Sequence, residues 1–292
     1  MEKTDILNVL KSTKGNFKLP KNMAFSIEGD VLHVNMSSIG LTSNMQTDDA
    51  AFEGWAICLK AWFPTIKKVI VDSKDKVFPV GDVHYNRFLY RLIKFTDVFP
   101  WAETRDFGDE IAKFKVNNSI VVNVPKRKAQ DNAEHGEAQL ERNYCLSERA
   151  KYDVMDHQLP VHLFNKEVKK QYSITPNSFL DIWSIKGNEL NIFELKLSTN
   201  KKVGIISELM FYVNVMSDIM KHNIIIPSDS KYRSFDKLYK LYQDKTCSQI
   251  NGIFLTDKLH PLIEQKKDEI LTIINEGNFI IDTRYNHKNI KL

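Results

Sequence analysis

The sequence predicts an α/β protein built from two parts. Apolar runs of strand length alternate along the chain with stretches whose apolar residues recur at helical spacing. A polar stretch at residues 126–133, KRKAQDNA, interrupts this alternation and has the composition of a linker. We therefore expect a smaller N-terminal α/β domain over residues 1–125, a linker over 126–133, and a second α/β domain with a mixed sheet over 134–292.

The composition is that of an ordinary soluble globular protein. Hydrophobic residues make up 42% of the chain and charged residues 27%, and the 292 residues suffice for one large or two modest cores. The net charge of +4 permits nucleic-acid binding without indicating it, because dedicated basic domains carry a clustered patch.

The cysteines and the apolar runs bear on the cellular location. Cys58, Cys145 and Cys247 lie far apart, so the sequence indicates neither a disulfide framework nor a cysteine zinc site. The N-terminus lacks the apolar core of a signal peptide, and no stretch approaches the ~18 apolar residues that span a bilayer. We expect a cytoplasmic protein without a membrane partner.

The N-terminal part has the pattern of a small α/β domain without catalytic spacing. Its predicted elements are a helix within residues 1–12, a hairpin around Gly29-Asp30, a helix capped by Thr47 to Asp49 and ending at Phe63, a strand at 67–72, a helix at 85–99, and one long or two short strands at 111–124. It contains no Gly-rich phosphate loop, no G-x-S-x-G and no H-E-x-x-H. The sequence does not decide whether this N-terminal domain serves in target recognition or in oligomerisation.

A hairpin in the C-terminal part, FLDIWSIKGNELNIFELKL, carries the candidate chemistry. Gly187-Asn188 is a two-residue loop of the kind that closes a tight hairpin, and it pairs Lys186 with Glu189. The same register places Asp181 opposite Glu194, and side-chain alternation brings both to the face that also carries Lys196.

Two carboxylates that face each other on buried strands destabilise a sheet. A bound divalent cation removes that cost, because Mg²⁺ takes one or two carboxylates and keeps water or phosphate oxygens in its other positions. Lys196 then adds a positive charge beside the metal, suited to a phosphate or to an activated water.

Asp181, a gap of twelve residues, and then Glu194-Leu195-Lys196 resemble the core signature of the PD-(D/E)xK nuclease superfamily. The resemblance implies that Asp181 and Glu194 bind Mg²⁺ with help from the Leu195 carbonyl, and that Lys196 orients or activates the attacking water. It also implies a restriction-endonuclease-like α/β/α core. Leu180 stands where many members have Pro before the Asp.

Two further matches extend the resemblance. A helix predicted over residues 134–151 would bring a glutamate towards the metal, with Glu141 as first choice and Glu137 as second. On a helix predicted over 203–221, Glu208 and Tyr212 are four residues apart and share a face, as a Gln or Glu followed by Tyr does in many relatives.

The remaining C-terminal segments complete the predicted core. They are an extended segment at 161–172, a helix at 229–243 that interleaves basic with aromatic residues, a strand at 250–256, a helix at 261–276 and a strand at 278–282. The mixture of basic and aromatic residues suits nucleic acid, but an amphipathic helix that packs its aromatics inward explains it as well.

The resemblance therefore implies a Mg²⁺-dependent nuclease, with Mn²⁺ as a substitute ion, that hydrolyses phosphodiester bonds in DNA in a bacterial restriction, defence, repair or mobile-element setting. A catalytically inactive nuclease-like module that binds nucleic acid or protein is the alternative, and a hydrolase of other phosphodiesters is a third. The sequence does not decide whether the substrate is DNA or RNA, or whether the chain forms a homodimer.

Overall fold

The structure is a computed structural model that describes residues 1, 3–11, 18–117, 119–127, 136–197, 199 and 201–290. The chain forms two compact units, each assembled from separate stretches. The first contains Met1–Asn117, Lys201–Glu208 and Lys258–Asn278; the second contains Asn118–Asn200, Leu209–Asp257 and Phe279–Leu292.

This division differs from the continuous one expected, in which a domain over 1–125 precedes a domain over 134–292. The first unit ends its N-terminal stretch at Asn117, but two later stretches join it. Hydrogen bonds hold both of them there. The Asp48 carboxylate accepts from the Val203 amide at 2.9 Å, and the Trp62 indole donates to the Leu262 carbonyl at 3.0 Å. Of the predicted linker at 126–133, residues 128–133 lie outside the described residues.

The secondary structure alternates between helices and strands through both units. The α-helices are α1 (Lys3–Lys11), α2 (Ser38–Thr42), α3 (Phe52–Trp62), α4 (Val83–Val98), α5 (Gly108–Asn117), α6 (Glu137–Glu148), α7 (Gly204–Met220), α8 (Phe235–Gln243), α9 (Pro261–Glu264) and α10 (Lys267–Asn275). The strands are β1 (Met23–Glu28), β2 (Val31–Met36), β3 (Lys68–Ser73), β4 (Ala102–Glu103), β5 (Ile120–Val122), β6 (Val154–Pro160), β7 (Leu163–Asn165), β8 (Phe179–Lys186), β9 (Glu189–Lys196), β10 (Gln249–Thr256) and β11 (Asp282–Asn289).

The first unit contains a mixed sheet in the order β1-β2-β3-β4. β1 and β2 form the predicted hairpin around Gly29-Asp30, with the pairs Ile27↔Leu32 and Phe25↔Val34. β3 and β4 continue the sheet in parallel. Phe25 lies buried against Trp55 of α3, with ring centroids 5.9 Å apart, so the apolar face of this hairpin covers the core.

The prediction of strands over residues 111–124 is wrong for most of that range. α5 occupies Gly108–Asn117, and only Ile120–Val122 is a strand. Phe107 and Phe114 are seven residues apart and both buried, as on one face of a helix. Asp109 and Glu110 lie in the first turn, where the helix dipole favours acids.

The predicted cap of α3 also has a different partner. Asp48 lies in a 3-10 turn, Asp48–Ala50, that precedes α3, and Thr47 makes no side-chain capping bond. The Asp48 carboxylate instead accepts from the amides of Val203 at 2.9 Å and Gly204 at 3.3 Å, so it caps the start of α7. Burial raises the pKa of Asp48 above its usual value, against these hydrogen bonds.

The second unit contains a mixed sheet in the order β11-β10-β9-β8-β6. β6, β8 and β9 pair antiparallel, whereas β10 is parallel to β9 and β11 is parallel to β10. Tyr144 and Cys145 of α6 pack with Phe193 and Ile253 in a core on one face. On the other face Val213 of α7 approaches Gly252, so helices lie on both sides of this sheet.

The limits of several C-terminal elements differ from the prediction. The strand that precedes the hairpin is β6 at 154–160, not the segment 161–172, which contains β7 and a 3-10 turn. β7 pairs instead with β5 in a separate two-stranded sheet. α8 begins only at Phe235, and two helices, α9 and α10, replace the single helix predicted at 261–276.

The last strand is β11 at 282–289, not the predicted segment 278–282. Thr283 and Tyr285 are buried and alternate with exposed Asp282 and Arg284. β11 is an edge strand, so its outer face carries polar residues and its apolar content is low. In the part of the chain that the structure describes, no helix has the length and apolarity needed to cross a membrane.

Candidate active site

The hairpin β8–β9 has the register that its sequence predicts. Lys186 pairs with Glu189, Ile185 with Leu190, and Trp183 with Ile192. Gly187 adopts φ +58 in the turn, a conformation that glycine tolerates without steric cost. The same register, continued beyond the last bridged pair, sets Asp181 opposite Glu194.

The bridged part of the hairpin ends at Ile182↔Phe193. Just beyond it the Asp181 carboxylate accepts a hydrogen bond from the Leu195 amide at 2.9 Å. This contact holds the Asp181 side chain against β9, next to the position of Glu194. Leu195 itself is buried, and the metal-binding role of its carbonyl stays a prediction.

Glu194 and Lys196 form an ion pair at the end of β9. Lys196 Nζ lies 2.6 Å from Glu194 Oε1, and the two side chains are 14% and 1% exposed. Such a pair interacts more strongly than a surface pair, because water screens it less. The ammonium of Lys196 therefore offsets part of the electrostatic cost of two facing carboxylates. From the sequence, only a metal ion was expected to do so.

Glu141 brings a third carboxylate from α6. Its side chain is 4% exposed, and its Oε2 accepts a hydrogen bond from Gln158 Nε2 at 2.6 Å. Burial, and then the negative charge of Asp181, raise the pKa of Glu141 to about 8, while Gln158 and the charge of Lys196 act in the opposite direction. The charges of Asp181 and Lys196 therefore act on the Glu141 carboxyl group.

Glu137, the second choice for this helical glutamate, lies one turn earlier and is half-buried. Its charge also raises the pKa of Glu141. The geometry therefore favours Glu141 as the member of this pair that joins the hairpin residues.

Glu208 and Tyr212 lie one turn apart on α7, and both are buried. Glu208 belongs to the first unit, where its Oε1 accepts a hydrogen bond from the Gln46 side chain. Tyr212 belongs to the second unit, and its ring packs beside Phe211 with centroids 5.5 Å apart. The catalytic roles of both residues stay predictions.

Gln158 is the residue of this cluster that sequence reasoning missed. It lies in β6, a strand that sequence reasoning also missed because Asp156, His157 and Gln158 interrupt its apolar pattern. A single amide side chain has no sequence pattern that predicts a contact with a helical residue seventeen positions earlier. The only indication in the sequence was the run of three polar residues, Asp156 to Gln158, inside an otherwise apolar segment.

The donors of this cluster suit a hard divalent cation, although they do not form a large ligand group. Within the described residues, no three or more His, Cys, Asp or Glu side chains make up a group that could hold a metal ion. Mg²⁺ commonly takes only one or two carboxylates and completes its shell with water and substrate phosphate. Asp181 and Glu194, with Glu141 close by, fit that requirement by the chemistry of their oxygens.

Comparison with protein-family models, with curated proteins and with solved structures finds no match to this chain. The function is therefore inferred from the residues themselves.

Proposed function

We propose that this protein is a Mg²⁺-dependent phosphodiesterase that acts on DNA. The observation that carries the proposal is the cluster of three carboxylates, Glu141, Asp181 and Glu194, with the ammonium of Lys196. Among these four residues the acids outnumber the base, and two of the acids are almost completely buried. Buried like charges are costly for stability alone, so such clusters more often serve a reaction.

The order of elements in the second unit supports the proposal. α6 precedes three antiparallel strands, α7 follows them, and β10 then adds in parallel beside β9. Helices on both faces of this mixed sheet agree with the α/β/α core that the resemblance to PD-(D/E)xK nucleases implies. Asp181 lies three residues into β8 and Glu194 three residues from the end of β9, so both are in the half of the hairpin far from its turn.

Each residue has a separate task in the proposed reaction. Asp181 and Glu194, with Glu141 close by, would hold Mg²⁺, and the bound ion would lower the pKa of water and offset charge on the scissile phosphate. The Leu195 amide orients the Asp181 carboxylate. Lys196 places an ammonium at the rim of the cluster, where it can donate to a phosphate oxygen or orient the attacking water.

DNA is the substrate class that the family resemblance favours. The second unit also presents basic side chains beside aromatic ones, because Lys231 and Arg233 flank Tyr232 just before α8. Basic and aromatic groups together suit a phosphate backbone with exposed bases. Both duplex and single-stranded DNA therefore belong in the first assay.

The test is nuclease activity on plasmid and on single-stranded DNA with Mg²⁺ or Mn²⁺. Asp181→Ala and Lys196→Ala should each abolish cleavage, since each removes a group that contacts the metal, the water or the phosphate. Glu189→Ala and Lys186→Ala are matched controls, because they remove the same charges from the turn end of the same hairpin. Cleavage that survives both site substitutions would reject the proposal.

The Lys196–Glu194 ion pair also favours a second function, in which the cluster binds no metal and the fold serves as a binding module. In that case Lys196 acts permanently as the counter-ion of Glu194. Calorimetric titration with Mn²⁺ separates the two functions. Saturable binding that Asp181→Ala abolishes supports the enzyme, and no heat of binding supports the module.

A further inference from the structure

Gln158 has a backbone conformation that is unusual for its place in the sheet. Its φ is +54, in the left-handed region, although it lies inside strand β6. The residues on either side pair normally with β8, as His157↔Ile182 and Leu159↔Leu180. A left-handed conformation is unfavourable for a residue with a side chain, so something must compensate for it.

The unusual residue lies directly across from Asp181. The offset of the flanking pairs sets Gln158 opposite Asp181, yet this pair is missing from an otherwise continuous ladder between the described strands β6 and β8. The ladder between β8 and β9 also stops one residue short of Asp181. The regular register of both ladders therefore has a gap at the level of Asp181, where the Asp181 carboxylate accepts from the Leu195 amide.

The side chain of Gln158 reaches a second member of the cluster. Its Nε2 donates to Glu141 Oε2 at 2.6 Å, and Glu141 is 4% exposed. A neutral amide can hold this carboxyl group in place without adding a positive charge to the cluster, which a lysine or arginine at this position would do. Gln158 thus contacts Glu141 on α6 with its side chain and interrupts the regular strand register at Asp181 on β8 with its backbone.

We propose that Gln158 is a positioning residue for the metal-binding carboxylates: its amide fixes the orientation of Glu141, and its left-handed backbone interrupts the sheet at Asp181. This inference depends on the proposed nuclease function and names the residue that prepares the site for the cation. Partners that orient metal ligands typically contribute roughly 10- to 100-fold to metal affinity or activity.

Gln158→Gly separates the two contributions, because glycine accepts the left-handed backbone and removes only the amide. We expect this variant to bind Mn²⁺ roughly 10- to 100-fold more weakly in calorimetry and to lose kcat by a similar factor, with the KM for DNA nearly unchanged. Lys245→Gly is the matched control, since Lys245 also has φ +54 and is exposed. Its Mn²⁺ affinity and kcat should equal those of the wild type.

Gln158→Asn gives a second route to the same measurement if the glycine variant does not fold. Asn tolerates a left-handed backbone but is one methylene shorter, so its amide should fail to hold Glu141 and the Mn²⁺ affinity should again fall. Suppose that the wild type is active and that Asp181→Ala inactivates it. If either folded Gln158 variant then keeps wild-type Mn²⁺ affinity and kcat, the role of Gln158 is overturned and the nuclease function is not. A wild type that neither binds Mn²⁺ nor cleaves DNA would overturn the nuclease function and this role with it.

Discussion

Replacing Glu141 with glutamine should make the free energy of unfolding less dependent on pH. The structure raises the pKa of Glu141 from its ordinary value of 4.5 to about 8, through burial first and the charge of Asp181 second. Below pH 4.5 the carboxyl group is protonated in both the folded and the unfolded chain, so it adds no pH dependence there. Between pH 4.5 and about 8 the unfolded chain releases this proton while the folded chain keeps it.

The sign follows from that difference in bound protons. Because the folded state binds more protons in this range, wild-type stability falls as the pH rises, by ~1.4 kcal/mol per pH unit for this one group. The loss levels off above the folded pKa of about 8, at a total on the order of 5 kcal/mol. Glutamine carries no proton to lose, and its carbonyl oxygen can still accept from Gln158.

The measurement is urea unfolding followed by circular dichroism from pH 5 to pH 9, with EDTA present to remove metal ions. Glu141→Gln should equal the wild type near the acidic end and exceed it by several kcal/mol at pH 8. Glu189→Gln, which removes an exposed glutamate from the turn end of the hairpin, is the control and should follow the wild type. A stability difference between Glu141→Gln and wild type that stays constant with pH would refute the reasoning.

Three further predictions concern stability and are checked by thermal unfolding. Glu53→Gln should cost about 3–5 kcal/mol, because it breaks an ion pair with Arg91 in which both side chains are 3% exposed; a change below 1 kcal/mol would contradict this. Gly252→Ala should cost about 1–3 kcal/mol, since the new methyl group would lie 2.8 Å from the buried Tyr285 ring; an unchanged melting temperature would count against it. Gly187→Ala should cost about 1–2 kcal/mol because the turn requires φ +58, and a gain in stability would show that the turn relaxes.

The register of the hairpin could be predicted from the sequence because a local feature determines it. A two-residue Gly-Asn loop allows few turn conformations, so each pair outward from Lys186 and Glu189 follows. The observed pairs confirm this register as far as Ile182↔Phe193. Turn chemistry and side-chain alternation were therefore enough to predict the pairing as far as Ile182↔Phe193, and Asp181 opposite Glu194 extends that register by one pair.

The contacts of the site could not be predicted in the same way, because they join distant parts of the chain. Periodicity places Glu141 on a helix but does not name its partner Gln158 on β6. Asp48 precedes a predicted helix and looks like its cap, yet the amides that it binds are those of Val203 and Gly204. Short-range patterns do not identify which helix end lies nearest in three dimensions.

The wrongly predicted helices and strands were those whose sequences fit both the helical and the strand period, or contained few apolar residues. The segment after Gly108 alternates apolar and polar residues over a short range and also places Phe114 at helical spacing from Phe107, so either structure was compatible with it. β11 buries only alternate residues such as Thr283 and Tyr285, and because its other residues are polar the sequence pattern did not predict a strand there. Edge strands commonly escape prediction for this reason.

The interleaving of the two units has a practical consequence for attempts to divide the protein. The chain passes from one unit to the other five times, and α7 contributes residues to both of them. A fragment that stops near residue 125 would lack the stretches 201–208 and 258–278, which complete the first unit. Truncation at that point should therefore yield two incomplete polypeptides instead of two independent modules, and co-expressed halves should regain structure only together.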